Sequence, residues 1–117
     1  MTNENIAESY MHKCRARLKA LALKAMLRSV GVEPPKQHDV GALLVEHAGR
    51  FPVGVREALQ RAAGISKELR KDRELAFYGD VDFIPTVEYT KVEGRKAHAD
   101  AIWVFELARQ AVPHRTP

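Results

Sequence analysis

Residues 67–80 read KELRKDRELAFYGD, which predicts the end of a long helix that runs into a glycine turn. Leu69 and Ala76 continue an apolar face that starts further upstream. Cationic side chains occupy the last turns, where the unpaired carbonyl groups of a helix C-terminus favour positive charge. Gly79 follows Tyr78 and can adopt the positive φ that closes a helix. A cationic helix end beside a phenol is a candidate phosphate or nucleic-acid contact, although such runs are more commonly solvated helix faces.

Apolar residues recur at spacings of three and four along the rest of the chain, which predicts helices rather than strands. Glycine and proline residues divide these segments, because they end or interrupt helices. The predicted helices are helix one at about 4–30, a short helix two from 38 or 39 to 48, helix three at about 52–77 and helix four at about 90–112. The fold class is therefore all-α: an up-and-down bundle of three long antiparallel helices and one short helix.

Each long helix has an apolar stripe that we expect to face the core. In helix one it is Met11, Cys14, Leu18, Leu21 and Ala25, widened later by Leu23, Met26, Leu27 and Val30. In helix three it is Val55, Leu59, Ala62, Ile65 or Ser66, Leu69 and Ala76. In helix four it is Ala97, Ala101, Val104, Phe105 and Ala108, enlarged by Ile102 and Trp103. Gly64 costs about 1 kcal/mol relative to alanine, which predicts a close helix crossing or a slight bend there.

Length and composition bound the class of protein. A chain of 117 residues corresponds to one domain, residues 1–117, and can bury a core without staples. Its net charge of +4 favours a polyanionic partner, although many ordinary domains share such an excess. The single Cys14 excludes an intrachain disulfide framework and, with no signal peptide, favours a reducing cytoplasm. No run of eighteen apolar residues occurs, so we expect no membrane span.

The remaining charged and histidine side chains are interpreted first as surface groups. Arg95 and Lys96 are predicted to be solvated, and Glu57 is predicted to pair with Arg61 one turn along the helix. No two of the five histidines have the spacing of helical metal ligands, and no glycine-rich phosphate loop occurs. We therefore expect no metal and no cofactor. His38 is interpreted as a neighbour of a helix-capping aspartate, with a ligand-binding role as the minority interpretation.

Several segments together resemble the HEPN domain, a nucleotide-binding domain of higher eukaryotes and prokaryotes. They are residues 24–27, 31–40 (GVEPPKQHDV), 43–44, 65–80 and 88–90, followed by helix four. The resemblance covers roughly residues 10–110, and the run from Gly31 to Asp39 is its most specific part. It implies a small helical bundle that is usually a homodimer. Many such domains are encoded beside a minimal nucleotidyltransferase, with which they form toxin–antitoxin pairs.

The resemblance also implies where a site would lie. Active members are metal-independent RNases with an Arg-x4–6-His motif near the end of this same helix, and the two copies meet across the dimer. Arg73 aligns with the motif arginine, but Tyr78 stands in place of the histidine, and a phenol with a pKa of about 10 is a poor base at neutral pH. We therefore predict nucleotide or RNA binding by Arg70, Arg73, Tyr78 and His38. Only Arg73 and Tyr78 are catalytic candidates.

Three functions stay open. The first is a nucleotide- or RNA-binding module that pairs with a nucleotidyltransferase. The second is a divergent RNase toxin in which Tyr78, or a histidine such as His38, replaces the usual base. The third is a structural helical protein that only dimerises.

Arg109 and His114 also have the Arg-x4-His spacing, which we interpret as chance. The extra N-terminal helix of many members is missing or merged here, leaving an apolar face on helix one or four for a partner subunit to cover.

Overall fold

The computed structural model of the protein describes residues 2–34, 36, 40–78 and 91–113, with the side chains of all of these except 72–78 and 91–93. Within these residues the helices are α1 (Asn3–Ser29), α2 (Val40–Glu46), α3 (Val53–Arg56), α4 (Leu59–Tyr78) and α5 (Lys91–Ala111), with a 3₁₀ turn at Ala48–Arg50. No strand occurs among them, which confirms the all-α helical prediction. The predicted loop at 79–89 and His38 lie outside the described residues.

Both ends of α1 have recognisable caps. Thr2 accepts a hydrogen bond from a backbone N–H of the first turn at 3.1 Å, so it is the N-cap. Gly31 has a φ of +81°, and its N–H donates to the Arg28 carbonyl at 3.0 Å. The Val32 N–H donates to the Leu27 carbonyl, also at 3.0 Å. These two bonds form a Schellman cap, whose left-handed residue is normally glycine, and they confirm the predicted end of helix one.

The core stripe predicted for α1 from Met11 to Ala25 is wrong. Met11 is 54% exposed and Leu21 is 59% exposed, and Cys14, Leu18 and Ala25 are exposed too. Before Leu21, the buried residues of α1 are instead polar: Ser9, His12 and Lys19. His12 is thus also a correction to the prediction that the histidines lie at the surface.

The residues predicted to widen the stripe in the second half of α1 do face the core, although Leu21 and Ala25 in the same half are exposed. Leu23, Met26 and Leu27 are at most 1% exposed, and Leu44 of α2 lies in the same apolar cluster. The reason for the difference is tertiary: α2, α4 and α5 supply the core residues around Leu23, Met26 and Leu27, whereas no described element covers the side that carries Leu21.

A close crossing of α2 and α4 occurs at Gly41 and not at Gly64. A Cβ atom on Gly41 would lie 2.6 Å from the Cα of Ala63, so only glycine fits there. The Gly41 N–H donates to the hydroxyl of Ser66 at 3.2 Å across the same contact. Gly64 is exposed, and a Cβ there would meet nothing within 4 Å. The prediction of a close crossing at Gly64 is therefore wrong.

The single helix predicted over 52–77 is divided into α3 and α4. After Arg56 the hydrogen bonding tightens, because the Ala58 N–H donates to the carbonyl three residues back at 3.0 Å. Arg56 Nε donates to the Phe51 carbonyl at 2.8 Å, and its Nη2 donates to the Gly49 carbonyl at 3.2 Å. These side-chain bonds couple α3 to the turn before it rather than to α4.

Buried residues of α5 complete the core. Phe105 and Ile102 are 48% and 53% exposed, so the prediction that they face inward is wrong. Leu107 and Ala111 are buried in addition to the predicted members. The predicted inward residues that are confirmed as buried are Val55, Leu59, Ala62, Ile65 and Ser66 before the loop, and Ala97, Ala101, Val104 and Ala108 after it.

Candidate functional site

The cationic surface predicted from residues 67–80 begins in the middle of α4. Lys67, Arg70 and Lys71 are all exposed, and their spacing of three and four residues places them on one side of the helix. We call these three residues the α4 cationic face. Among the side chains that the structure describes, no carboxylate forms an ion pair with any of them. This side of α4 therefore presents three positive charges to solvent.

The predicted binding residues fall partly within this surface. Arg70 belongs to the face itself. Arg73 follows one turn later in the same helix, and Tyr78 is the last residue of α4. The side chains of Arg73 and Tyr78, and the whole of His38, lie outside the described residues. The structure therefore tests the position of Arg70, while the grouping of the four residues stays a prediction.

Glu68, the acid between Lys67 and Arg70, is held by a residue of α5. Lys96 Nζ of α5 lies 3.2 Å from Glu68 Oε1 and 3.0 Å from Oε2. The same ammonium donates to Asp100 Oδ2 at 3.0 Å, one turn along α5. Arg95 and Lys96 are both exposed, as predicted, but Lys96 also forms two ion pairs that the sequence did not predict. Because Lys96 neutralises Glu68, that carboxylate does not offset the charge of the α4 cationic face.

Asp100 is the centre of this polar cluster and is only 6% exposed. Its Oδ1 lies 3.7 Å from Arg61 Nη2, and its Oδ2 contacts Lys96. The Arg61 guanidinium also lies over the ring of Trp103, 4.1 Å from the centroid. The predicted pair of Arg61 with Glu57 is wrong, because Glu57 ends α3 and Arg61 reaches α5 instead. Two cations thus compensate one buried carboxylate, as burial of a charge requires.

The cluster keeps Lys96 protonated. Its hydrogen bond to Asp100, and next its hydrogen bond to Glu68, raise the pKa of Lys96 above the ordinary value of 10.5. The ammonium is therefore charged at every physiological pH. The resulting contacts fix the first half of α5 against α4, directly beside the α4 cationic face.

The sequence contained a signal for this cluster that periodicity alone did not reveal. Asp100 lies between Ala97 and Ala101, two members of the predicted apolar stripe. Lys96 precedes it by four residues, the spacing of a helical ion pair. An acid inside an apolar stripe with a cation one turn away predicts a buried, compensated carboxylate.

Across 2–34, 40–78 and 91–113, no three His, Cys, Asp or Glu side chains come together in a way that could hold a metal ion. None of the helices in these ranges has the length and apolar character needed to cross a bilayer.

Similarity to known proteins identifies the family. A family model described as the HEPN domain matches residues 19–111, which is more than three quarters of the chain. The chain therefore belongs to the HEPN domain family, and the predicted resemblance is confirmed. Membership associates the chain with nucleotide- or RNA-related modules in general. Among curated proteins and among solved structures, no match to the chain was found.

Proposed function

We propose that this HEPN-family chain is a nucleotide- or RNA-binding module whose contact surface is the α4 cationic face together with Arg73 and Tyr78. The observation that carries the proposal is the exposure of Lys67, Arg70 and Lys71 on one side of α4 without a described carboxylate partner. Exposed cations that no described carboxylate pairs with can neutralise phosphates and release their counterions. Glu68, the acid between Lys67 and Arg70, is already engaged by Lys96 of α5.

The competing explanation is that these cations only stabilise the helix. Because Arg70 lies well before the end of α4, whose last turn has no basic residue, the helix dipole contributes little and any such stabilisation is small. The two explanations differ in what a single substitution does. If the cations only stabilise α4, Arg70→Ala lowers stability slightly and leaves RNA affinity unchanged.

The test is the binding of a labelled single-stranded RNA oligonucleotide, followed by fluorescence anisotropy at salt concentrations between about 50 and 200 mM. Arg70→Ala and Arg73→Ala are each expected to weaken binding about fivefold, since one phosphate contact contributes on the order of 1 kcal/mol. Each is also expected to reduce the slope of log affinity against log salt by about 0.7. Lys24→Ala is the matched control, because it removes one exposed positive charge on α1.

Equal losses of affinity for Arg70→Ala and Lys24→Ala would contradict a local site on α4. They would indicate binding by net charge alone. Cleavage of the RNA without added metal would instead support the alternative of a divergent RNase. Retention of that cleavage in Tyr78→Phe would exclude the phenol as its base.

We also propose that the chain is a homodimer in which the C-terminal ends of the two α4 helices line one cleft. The support is family membership, since HEPN domains commonly pair in this way. Sedimentation of the purified protein is expected to give twice the mass of one chain. A monomer at micromolar concentration would contradict this part of the proposal.

The proposed physiological setting is a toxin–antitoxin-type pair with a nucleotidyltransferase. Its support is again the family, and the test is co-expression with a nucleotidyltransferase encoded beside this chain. Stable co-purification, together with relief of any growth arrest, is the expected result. Independent elution of the two proteins would argue for a binding module that acts without such a partner.

A further inference from the structure

We infer that the groove between α1 and α5 is the docking site for an amphipathic, acidic helix of a partner protein. The groove has a volume of about 950 Å³ and lies between the exposed stripe of α1 and the C-terminal part of α5. Cys14, Leu18, Leu21, Ala25, Phe105 and Ala108 in its lining are residues that sequence periodicity assigned to the core. The inference does not rest on nucleic-acid binding by α4.

The floor of the groove is apolar. Leu18, Leu21, Ala25, Phe105, Ala108 and Val112 are among the residues that line it. Leu21 and Phe105 are 59% and 48% exposed, although large apolar side chains are usually covered. Exposed apolar residues that form one continuous surface mark an interaction site more often than isolated ones do.

The shape of the groove fits a helix. Its α1 wall extends from Tyr10 to Ala25, which is about 22 Å at 1.5 Å per residue. A partner helix of about four turns would therefore lie along it, with apolar residues at positions i, i+3, i+4 and i+7 inserted between α1 and α5. Burial of the Leu21 and Phe105 side chains by such a helix would remove apolar surface from water.

The charges at the rim specify the partner. Lys13, Arg17 and Arg109 line the groove, and none of its lining residues is acidic. Lys13 Nζ lies 5.7 Å from the ring centroid of Tyr10 at one end. Glu106, which does not line the groove, lies 3.5 Å from Arg109 and is half exposed. An apolar floor with a basic rim is complementary to a helix whose apolar stripe is flanked by Asp and Glu.

A second copy of this chain fits the groove less well. A two-fold axis through the groove would bring the same surface patch of both copies together. The Lys13, Arg17 and Arg109 side chains of one copy would then face the equivalent cations of the other. Juxtaposed like charges oppose association, so the rim disfavours self-pairing at this surface.

The test uses two synthetic helical peptides of about 16 residues with the same leucine stripe, one flanked by Glu and the other by Lys. The Glu peptide is expected to bind the wild-type protein at least about tenfold more tightly than the Lys peptide. Leu21→Glu is expected to abolish binding of the Glu peptide. Arg17→Glu is expected to reduce the preference for the Glu peptide severalfold. Arg95→Glu is the matched control, because it makes the same charge change at an exposed position of α5 away from the groove.

Equal affinity for the two peptides, or no binding of either at millimolar concentration, would overturn the inference. A fall in the sedimentation mass of the protein with Leu21→Glu would also overturn it, by showing that a second copy occupies the groove. Displacement of the Glu peptide by an RNA oligonucleotide that is itself lost with Leu21→Glu would assign the groove to RNA instead. Because Leu21 is exposed, its substitution leaves the core intact, and the peptide preference of the wild type is independent of any variant.

Discussion

The two halves of α1 relate to the rest of the protein in opposite ways. Its second half buries Leu23, Met26 and Leu27 almost completely, at the three- and four-residue spacing expected of a core helix. Its first half buries polar residues and exposes Tyr10 and Met11, at 68% and 54%. One continuous helix thus carries two stripes of large apolar residues, one in the core and one at the surface. The comparison teaches that spacing identifies an apolar stripe, while the neighbouring helices decide whether it is core.

The largest expected effect tests this comparison on α1 itself. Leu27→Ala should destabilise the protein by about 2–5 kcal/mol, because it removes a fully buried side chain and leaves a cavity. Leu21→Ala should cost about 0.5 kcal/mol or less, since the side chain is mostly exposed. Urea unfolding followed by circular dichroism measures both. Equal losses for the two variants would mean that the groove stripe is part of the core.

A second pair of substitutions extends the comparison to glycine. Gly41→Ala should cost about 1–3 kcal/mol, because its Cβ would lie 2.6 Å from the Ala63 backbone and force α2 away from α4. Gly64→Ala should stabilise the protein by up to about 1 kcal/mol, because it meets open space within a helix. The same unfolding measurement applies. A loss of stability in Gly64→Ala would indicate that another helix does pack closely against Gly64, as the sequence predicted.

A third pair of substitutions tests whether a buried carboxylate contributes more to stability than an exposed one. Asp100→Asn should cost about 1–2 kcal/mol, since it removes the charge on a buried carboxylate that two cations contact. Glu33→Gln should change stability by no more than about 0.5 kcal/mol, because its pair with Arg28 at 3.6 Å is solvent exposed. Similar values for both would show that the α4–α5 cluster contributes no more than a surface ion pair.

The smallest expected effect is a pH dependence. The partners of Lys96 raise its pKa, so its contribution is complete below the ordinary value of 10.5 and is lost as pH rises through the raised pKa. The stability difference between wild type and Lys96→Gln should therefore be constant up to about pH 10 and shrink above it. Unfolding measured at pH values from neutral to strongly alkaline checks this. A difference that shrinks near neutral pH would contradict the assignment.

Apolar spacing, together with the glycine and proline residues at helix ends, was sufficient to predict much of the fold. Gly31 ends α1 with a Schellman cap, and Pro113 follows the end of α5, as their backbone chemistry predicts. The inward residues of α4 were also predictable, because only one side of that helix is apolar in its described part. Where a helix has two apolar sides, as α1 does, the choice between them depends on helices distant in sequence. The exposure of Leu21 and Phe105 could not follow from local spacing.

The candidate site was predictable in one respect and missed in another. The cationic run was evident from Lys67, Arg70 and Lys71, and the described part of it is exposed as expected. The bridge from Glu68 to Lys96 joins residues 28 positions apart, so no local pattern could specify it. Single-helix pairing rules assigned Arg61 to Glu57 because they consider only one helix, whereas the break before α4 directs Arg61 to Asp100.

The most direct test of the proposed function is a chemical-shift map of backbone amides in the isotope-labelled protein, titrated with a single-stranded RNA oligonucleotide. We predict that the largest changes fall within residues 67–78 and weaken together as salt is raised. Changes confined to the groove residues in 10–25 and 105–113, or no change in α4 at saturating RNA, would contradict a nucleic-acid surface on that helix.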